Sequence, residues 1–253
     1  MSKIIAIANQ KGGVGKTTTA INLSAALSIN EKKVLLIDFD PQSNTTSGLG
    51  IDHKKIRHSV YDVMLGQVDA HSIIMQSEIS NLSIMPANIE LTAAELELVN
   101  EENREYKLRD AIRHLESDYD FILIDCPPSL GLITINALAA SRSVMIPIQC
   151  EYYALEGLAQ LIHTIELIRQ NFNSDLAVEG ILLTMYDSRL KIAQQVVDEI
   201  KKYFPDILYH TIIHRNIRLA EAPSFGKPIV LYDILSKGAQ NYLNLAKEVL
   251  KNG

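Results

Sequence analysis

The chain has 253 residues, 47% of them hydrophobic and 21% charged, with a formal net charge of −6, the balance of a globular chain able to bury one sizeable core. No apolar run approaches bilayer-spanning length, the opening residues do not resemble a signal peptide, and the distant Cys126 and Cys150 form neither a disulfide framework nor a C-x-x-C zinc pair. One cytosolic α/β domain over residues 1–253 is expected, and the acidic total argues against nucleic-acid binding by the molecule as a whole, so any such surface must be local.

The first predicted element is a strand, Ile4-Ile5-Ala6-Ile7-Ala8, followed by Asn9-Gln10-Lys11-Gly12-Gly13-Val14-Gly15-Lys16-Thr17-Thr18 and then a helix-like pattern over Ala20–Leu27. Strand, glycine loop and helix make a phosphate cradle. The glycines let backbone N–H groups close on an anion, and the helix N-terminus adds donors and a favourable dipole. Lys16 reaches terminal phosphates and the Thr17 hydroxyl completes a magnesium shell, which points to ATP or GTP with Mg²⁺. Lys11, Gly12, Gly13, Val14, Gly15, Lys16, Thr17 and Thr18 are therefore the nucleotide-binding candidates.

The next predicted strand, Val34-Leu35-Leu36-Ile37, ends in Asp38-Phe39-Asp40-Pro41. A continuous apolar run is the pattern of a buried parallel strand, whose C-terminal end faces the ligand in a doubly wound sheet. Helix-like spacing follows at Ser59–Leu65 and Leu91–Val99, with a short strand at Leu82–Pro86, while the stretch between Asp52 and Asn81 carries no interpretable motif. A helix from about Tyr106 to Leu115 leads to Phe121-Ile122-Leu123-Ile124-Asp125-Cys126-Pro127-Pro128. Four apolar residues and an aspartate are a weak signal alone, but with Lys16 and Thr17 they make Asp125 a second magnesium ligand. Further on come a strand at Val144–Ile148, a long helix at Ala154–Phe172, a strand at Val178–Met185 and a closing amphipathic helix at Ala239–Leu250.

The glycine loop departs from G-x-x-x-x-G-K-[ST], having Gln10 at the first glycine and a second lysine at Lys11. In this it resembles the deviant Walker A group, K-G-G-x-x-K-[ST], of the ParA/Soj/MinD family of P-loop ATPases. The resemblance runs nearly end to end, through Asp38–Gly50 as a switch I region, Asp-Cys-Pro-Pro-Ser-Leu-Gly as switch II, Gln149-Cys150-Glu151-Tyr152-Tyr153-Ala154-Leu155-Glu156-Gly157, and Arg218-Leu219-Ala220-Glu221-Ala222-Pro223-Ser224. It is nearest to chromosomal Soj, the ParA-type segregation ATPase. The resemblance implies an α/β fold with a doubly wound, mainly parallel sheet flanked by helices, and a weak Mg²⁺-dependent ATPase.

It implies further that ATP joins two copies into a sandwich dimer in which Lys11 crosses to the partner's phosphates, and that Asp40 positions the attacking water. The adenine pocket falls at Thr184-Met185-Tyr186-Asp187 and His214-Arg215-Asn216, with Asn216 reading the base edge. His214 stands where family members commonly have proline and is read as a loop histidine without special function. From Arg189 to Lys227 seven basic residues face four acidic ones, a local excess suited to duplex phosphates. ParA and Soj proteins bind DNA without sequence preference through this region, which makes Arg189 and Arg218 the DNA-binding candidates. The implied cycle is completed by a ParB-type centromere-binding partner that stimulates hydrolysis and releases the dimer from the nucleoid, with a replication initiator as a further partner.

Two other readings stay open. Iron-sulfur reductases of this fold hold a cluster with two cysteines per subunit, but Cys126 and Cys150 lack the glycine context of that class. A MinD-like membrane ATPase would carry a basic amphipathic extension, whereas this chain stops at Lys251-Asn252-Gly253, so no membrane partner is expected.

Overall fold

The computed structural model describes residues 2–151 and 154–251; Tyr152 and Tyr153 of the family-like run, and Asn252 and Gly253 at the end, lie outside the described residues. Among the described residues seven strands form one sheet: β1 (Lys3–Ile7), β2 (Val34–Asp38), β3 (Met75–Gln76), β4 (Leu82–Met85), β5 (Phe121–Asp125), β6 (Ser143–Gln149) and β7 (Ala177–Thr184). Their order is β3-β4-β2-β5-β1-β6-β7. All neighbours are parallel except the two-residue β3, which pairs antiparallel to β4 at the edge. The doubly wound, mainly parallel sheet expected from the apolar runs is the one observed.

Alternate side chains of a strand point to opposite faces, so a strand covered on both sides must be apolar throughout. On β1, Ile4 and Ala6 enter one core layer and Ile5 and Ile7 the other. On β2, Leu35 and Ile37 oppose Val34 and Leu36 in the same way. The layer on the Ile5 side is roofed by α1 (Lys16–Ile29) and α11 (Lys237–Lys251), joined through the buried Tyr242 hydroxyl, 3.2 Å from Thr19 Oγ1. The opposite layer is closed chiefly by α3 (Val60–Met64), α4 (Leu91–Glu97), α5 (Lys107–Ile112), α6 (Leu132–Ala140), α7 (Ala154–Asn171) and α8 (Lys191–Tyr203).

Pro147 lies inside β6 although a central strand has little tolerance for a missing N–H. The ladder between β1 and β6 ends at Ile7 and Met145, and the Pro147 carbonyl is met by Asn9 Nδ2 at 2.7 Å. The Ala8 N–H donates to the Met145 carbonyl at 3.1 Å, and the next bond of a parallel ladder would need an N–H at residue 147, so the proline stands where the pairing with β1 stops.

The helix expected over 106–115 is shorter: α5 ends at Ile112 and a 3₁₀ segment, Arg113–Ser117, takes over. Likewise α4 stops at Glu97 and Leu98–Asn100 is 3₁₀. α8 is an element that the pattern reading does not delimit, although Ala193, Val196, Val197 and Ile200 bury one face at helical spacing. Three short helices, α2 (Asn44–Gly48), α9 (Ile217–Glu221) and α10 (Ile229–Tyr232), complete the chain.

Candidate active site at the C-terminal edge of the sheet

Gly13 and Gly15 have φ of +76° and +89°, the left-handed region where a Cβ is costly. Gly15 is the N-cap of α1 and, with no side chain, leaves the first N–H groups of that helix uncapped for an anion. Val14 is buried and its carbonyl accepts from Thr184 Oγ1 at 2.8 Å, which pins the loop to the end of β7. Lys16 turns back along the loop, its Nζ donating to the Lys11 carbonyl at 3.2 Å. Burial holds its ammonium below the ordinary lysine range, with the charges of Asp125, Cys126 and Asp40 pulling the other way.

Strand register brings the acidic residues to the same edge. Ile7 is opposite Asp125, and Asp125 is opposite Asp38, so the residue before the glycine loop and two buried carboxylates form one row. This is the crevice position in open α/β sheets, where β1 and β5 send the chain to opposite sides. Asp125 Oδ2 accepts from Thr17 Oγ1 at 2.8 Å and from Thr45 Oγ1 at 2.7 Å. Its Oδ1 is buried with no partner among the described residues, a state that costs free energy unless a cation takes it. An orphaned carboxylate oxygen beside a threonine hydroxyl is a hard-oxygen set that fits Mg²⁺.

Asp38 is engaged differently. Its Oδ2 accepts from the Thr46 N–H at 2.8 Å and from Thr46 Oγ1 at 2.6 Å, and its Oδ1 accepts from the Asp40 N–H at 3.3 Å. Burial pushes its carboxyl up to about 7, with the Asp125 charge adding to the effect. Burial also pushes Asp125 up to about 6, opposed by the Thr45 and Thr17 bonds. Asp40, buried at the start of the switch I segment, accepts from the Gln42 N–H at 2.9 Å through Oδ1.

Beside the loop opens a cavity of about 720 Å³ whose lining includes Gly15, Thr18, Met185, Asp187, His214 and Asn216. A parallel bridge between Tyr186 and His214 brings the two expected base-pocket segments together. Asn216 Oδ1 caps α9 by accepting from the Arg218 N–H at 2.8 Å, so its amide nitrogen is the atom left to face a base. His214 has packing partners that the sequence reading did not foresee: Asn241 Oδ1 at 3.3 Å and the Tyr186 ring, edge-on at 5.6 Å.

Lys11 stands apart from its neighbours. Its side chain is half exposed and pairs with Glu151, just past the C-terminal end of β6. Arg189 forms two bonds to Asp187, at 2.9 and 2.6 Å, and Arg218 pairs with Glu221 at 3.0 Å and Asp233 at 3.6 Å. The basic excess counted from Arg189 to Lys227 thus leaves out Asp187 and Asp233, the two acids that sit just outside that window. Cys126 and Cys150 are both buried in the same core layer, and burial pushes the Cys150 thiol up to about 11, the setting of unreactive core thiols.

Thr45, Thr46 and Glu151 are site residues that sequence reasoning did not single out. All three lie inside the family-like runs, but nothing in their local pattern says which aspartate or lysine they meet.

A family model described as an AAA domain matches residues 2–178. A chromosome partitioning protein ParA of Myxococcus xanthus is 57% identical over 99% of this chain and 89% of its own length. The sporulation initiation inhibitor protein Soj of Bacillus subtilis is 56% identical over the whole of both chains. Among solved structures, a cobyrinic acid a,c-diamide synthase from Mycobacterium smegmatis with bound ADP and magnesium superposes with a TM-score of 0.87 at 37% identity, covering 99% of this chain and 95% of that one. With a glycine loop, a magnesium-fitting carboxylate and a switch segment at one sheet edge, and with relatives matching from end to end, this chain belongs to the ParA/Soj family of chromosome-partitioning P-loop ATPases.

Proposed function

We propose that residues 1–253 work as one ATP-timed DNA clamp: ATP joins two copies, the pair holds duplex DNA without sequence preference, and hydrolysis releases it. The chain is an ATP hydrolase whose cofactors are ATP and Mg²⁺. When bound, Mg²⁺ neutralises charge on the terminal phosphates. Thr17 and Asp125 would hold it, Gly12 to Thr18 would receive the phosphates on backbone donors, and Lys16 would lie along them. Asp40, held by Gln42, would orient the attacking water. Asn216 and the 720 Å³ cavity would take the base.

The observation that carries this reading is the division between the two loop lysines. Lys16 is buried against its own loop, whereas Lys11 points outward to Glu151. A cation on the outer rim of its own phosphate cradle is suited to a partner's phosphates, where it adds charge that no group of that subunit supplies. Arg189 and Arg218, exposed beside the base cavity, would exchange their acidic partners for DNA phosphates, and dimerisation would double their number. A ParB-type partner would then time release by stimulating hydrolysis, with the replication initiator as a second client and the cytoplasmic nucleoid as the place of action. Among the described residues no helix is long and apolar enough to cross a membrane.

The test is DNA binding with ATP, ADP or no nucleotide, for the wild type, Lys16→Ala and Arg189→Glu/Arg218→Glu. Binding is expected only with ATP and only in the wild type. Nucleotide-independent binding would remove the switch, and unaltered binding by the double arginine variant would move the DNA surface elsewhere.

A further inference from the structure

The stretch between Asp52 and Asn81, which carries no interpretable motif, folds back onto the segment that precedes β5 and brings two histidine rings together at a tilt of 38°. His71 lies on a 3₁₀ turn, Ala70–Ile73, capped by Asp69, and His114 lies on Arg113–Ser117. Their rings are 4.7 Å apart. The side chains of Asp69, His71 and His114 each offer one ligand atom, and these atoms all lie within 4.8 Å of one another. All three residues are exposed, at the end of the sheet where β5 begins, a strand's length from Asp125.

We propose that Asp69, His71 and His114 form a surface site for a zinc-class divalent cation, with Asp118 as the positioning residue for the His71 ring. Three separations carry the proposal. His71 Nε2 is 3.0 Å from Asp118 Oδ2, a contact in which the carboxylate can only accept, so in the neutral ring Nδ1 is the nitrogen that carries the lone pair. Nδ1 lies 3.5 Å from Asp69 Oδ1, and His114 Nε2 lies 3.7 Å from Asp69 Oδ2. Both exceed the usual hydrogen-bond length. The two contacts run to different oxygens of Asp69, and one ligand atom from each of the three residues lies within 4.8 Å of the others, so the side chains would draw together around a cation toward the tetrahedral edge of about 3.3 Å that metal–nitrogen and metal–oxygen bonds near 2.0–2.1 Å require.

Two imidazoles and a carboxylate suit zinc, cobalt or nickel and are a poor set for Mg²⁺, which prefers six oxygens. A carboxylate on the far nitrogen of a ligating histidine is the usual outer support of such a site. With three protein ligands, a fourth position stays open to water. The cation would bridge the segment before β3 to the one before β5, and would act apart from the magnesium at the nucleotide edge.

The experiment titrates Co²⁺ and Zn²⁺ into the full chain, carrying no polyhistidine tag, with Mg²⁺ in excess. Cobalt absorption and calorimetry are recorded for the wild type, His71→Ala, His114→Ala and Asp118→Asn. The expected result is one cation per chain with a four-coordinate nitrogen and oxygen spectrum, lost in either histidine variant and weakened about 10–100-fold in Asp118→Asn. All three substituted positions are exposed, so the variants should keep the wild-type far-ultraviolet circular dichroism. Absence of binding would overturn the proposal. Binding untouched by the histidine changes, or a sulfur-to-cobalt charge-transfer band from Cys126 or Cys150, would equally overturn the proposal.

Discussion

Thr45→Val isolates the contact that ties the switch I helix to the magnesium-fitting aspartate. Thr45 is fully buried and its hydroxyl donates to Asp125 Oδ2 at 2.7 Å. Valine keeps the shape, so the loss is one hydrogen bond with little cavity. A bond to an ionised acceptor contributes about 1.5–3 kcal/mol, and a bond to a neutral one about 0.5–1.5 kcal/mol. Asp125 is pushed from 3.8 up to about 6, so the folded nucleotide-free protein binds more protons than the unfolded chain between those values. Ionisation of Asp125 therefore opposes folding as pH rises through about 6. Removing a donor to the carboxylate raises that pKa further and deepens the loss. The variant should be destabilised by about 2 kcal/mol near pH 8 and by about 1 kcal/mol near pH 5. Urea unfolding without nucleotide measures it, as a shift of midpoint at constant slope. An equal cost at both pH values, or none near pH 8, would refute the assignment of Thr45 to an ionised Asp125.

Three further outcomes follow from the same geometry. Asp38 and Asp125, pushed up to about 7 and about 6, contribute stability that is full below 3.8 and is lost as pH rises through those values. Mg²⁺ on ionised Asp125 offsets part of the loss, so the rise in Tm on adding Mg²⁺ and ADP should be larger near pH 8 than near pH 6; equal increments would contradict this. Asp40→Ala should slow ATP hydrolysis by about 100-fold or more while ATP still yields a particle of doubled mass in light scattering; hydrolysis at the wild-type rate would remove Asp40 from the mechanism. A Cβ at Gly180 would meet the Tyr209 ring at 2.5 Å, and Tyr209 is buried. Gly180→Ala should cost about 1–3 kcal/mol in thermal unfolding, and a neutral result would show that the ring can yield.

Sequence by itself determined the parts of this protein whose signal is local. Glycines 12, 13 and 15 between a strand and a helix, two loop lysines and an apolar run ending in Asp125 each lie within about ten consecutive residues, so they were legible as a phosphate site and as a family signature. The apolar strands were legible too, because a strand buried on both faces has no polar positions to disguise it. Tertiary structure decided what those parts touch. Parallel register set Asp38 beside Asp125 across strands separated by more than eighty residues, and placed Thr45 on one and Thr46 on the other. Tertiary packing also put Glu151 on Lys11 and His71 against His114. Hydrogen bonds within one turn leave a pattern in neighbouring residues, whereas partners joined by crossovers are chosen by how helices and strands pack, and no stretch of chain records that choice alone.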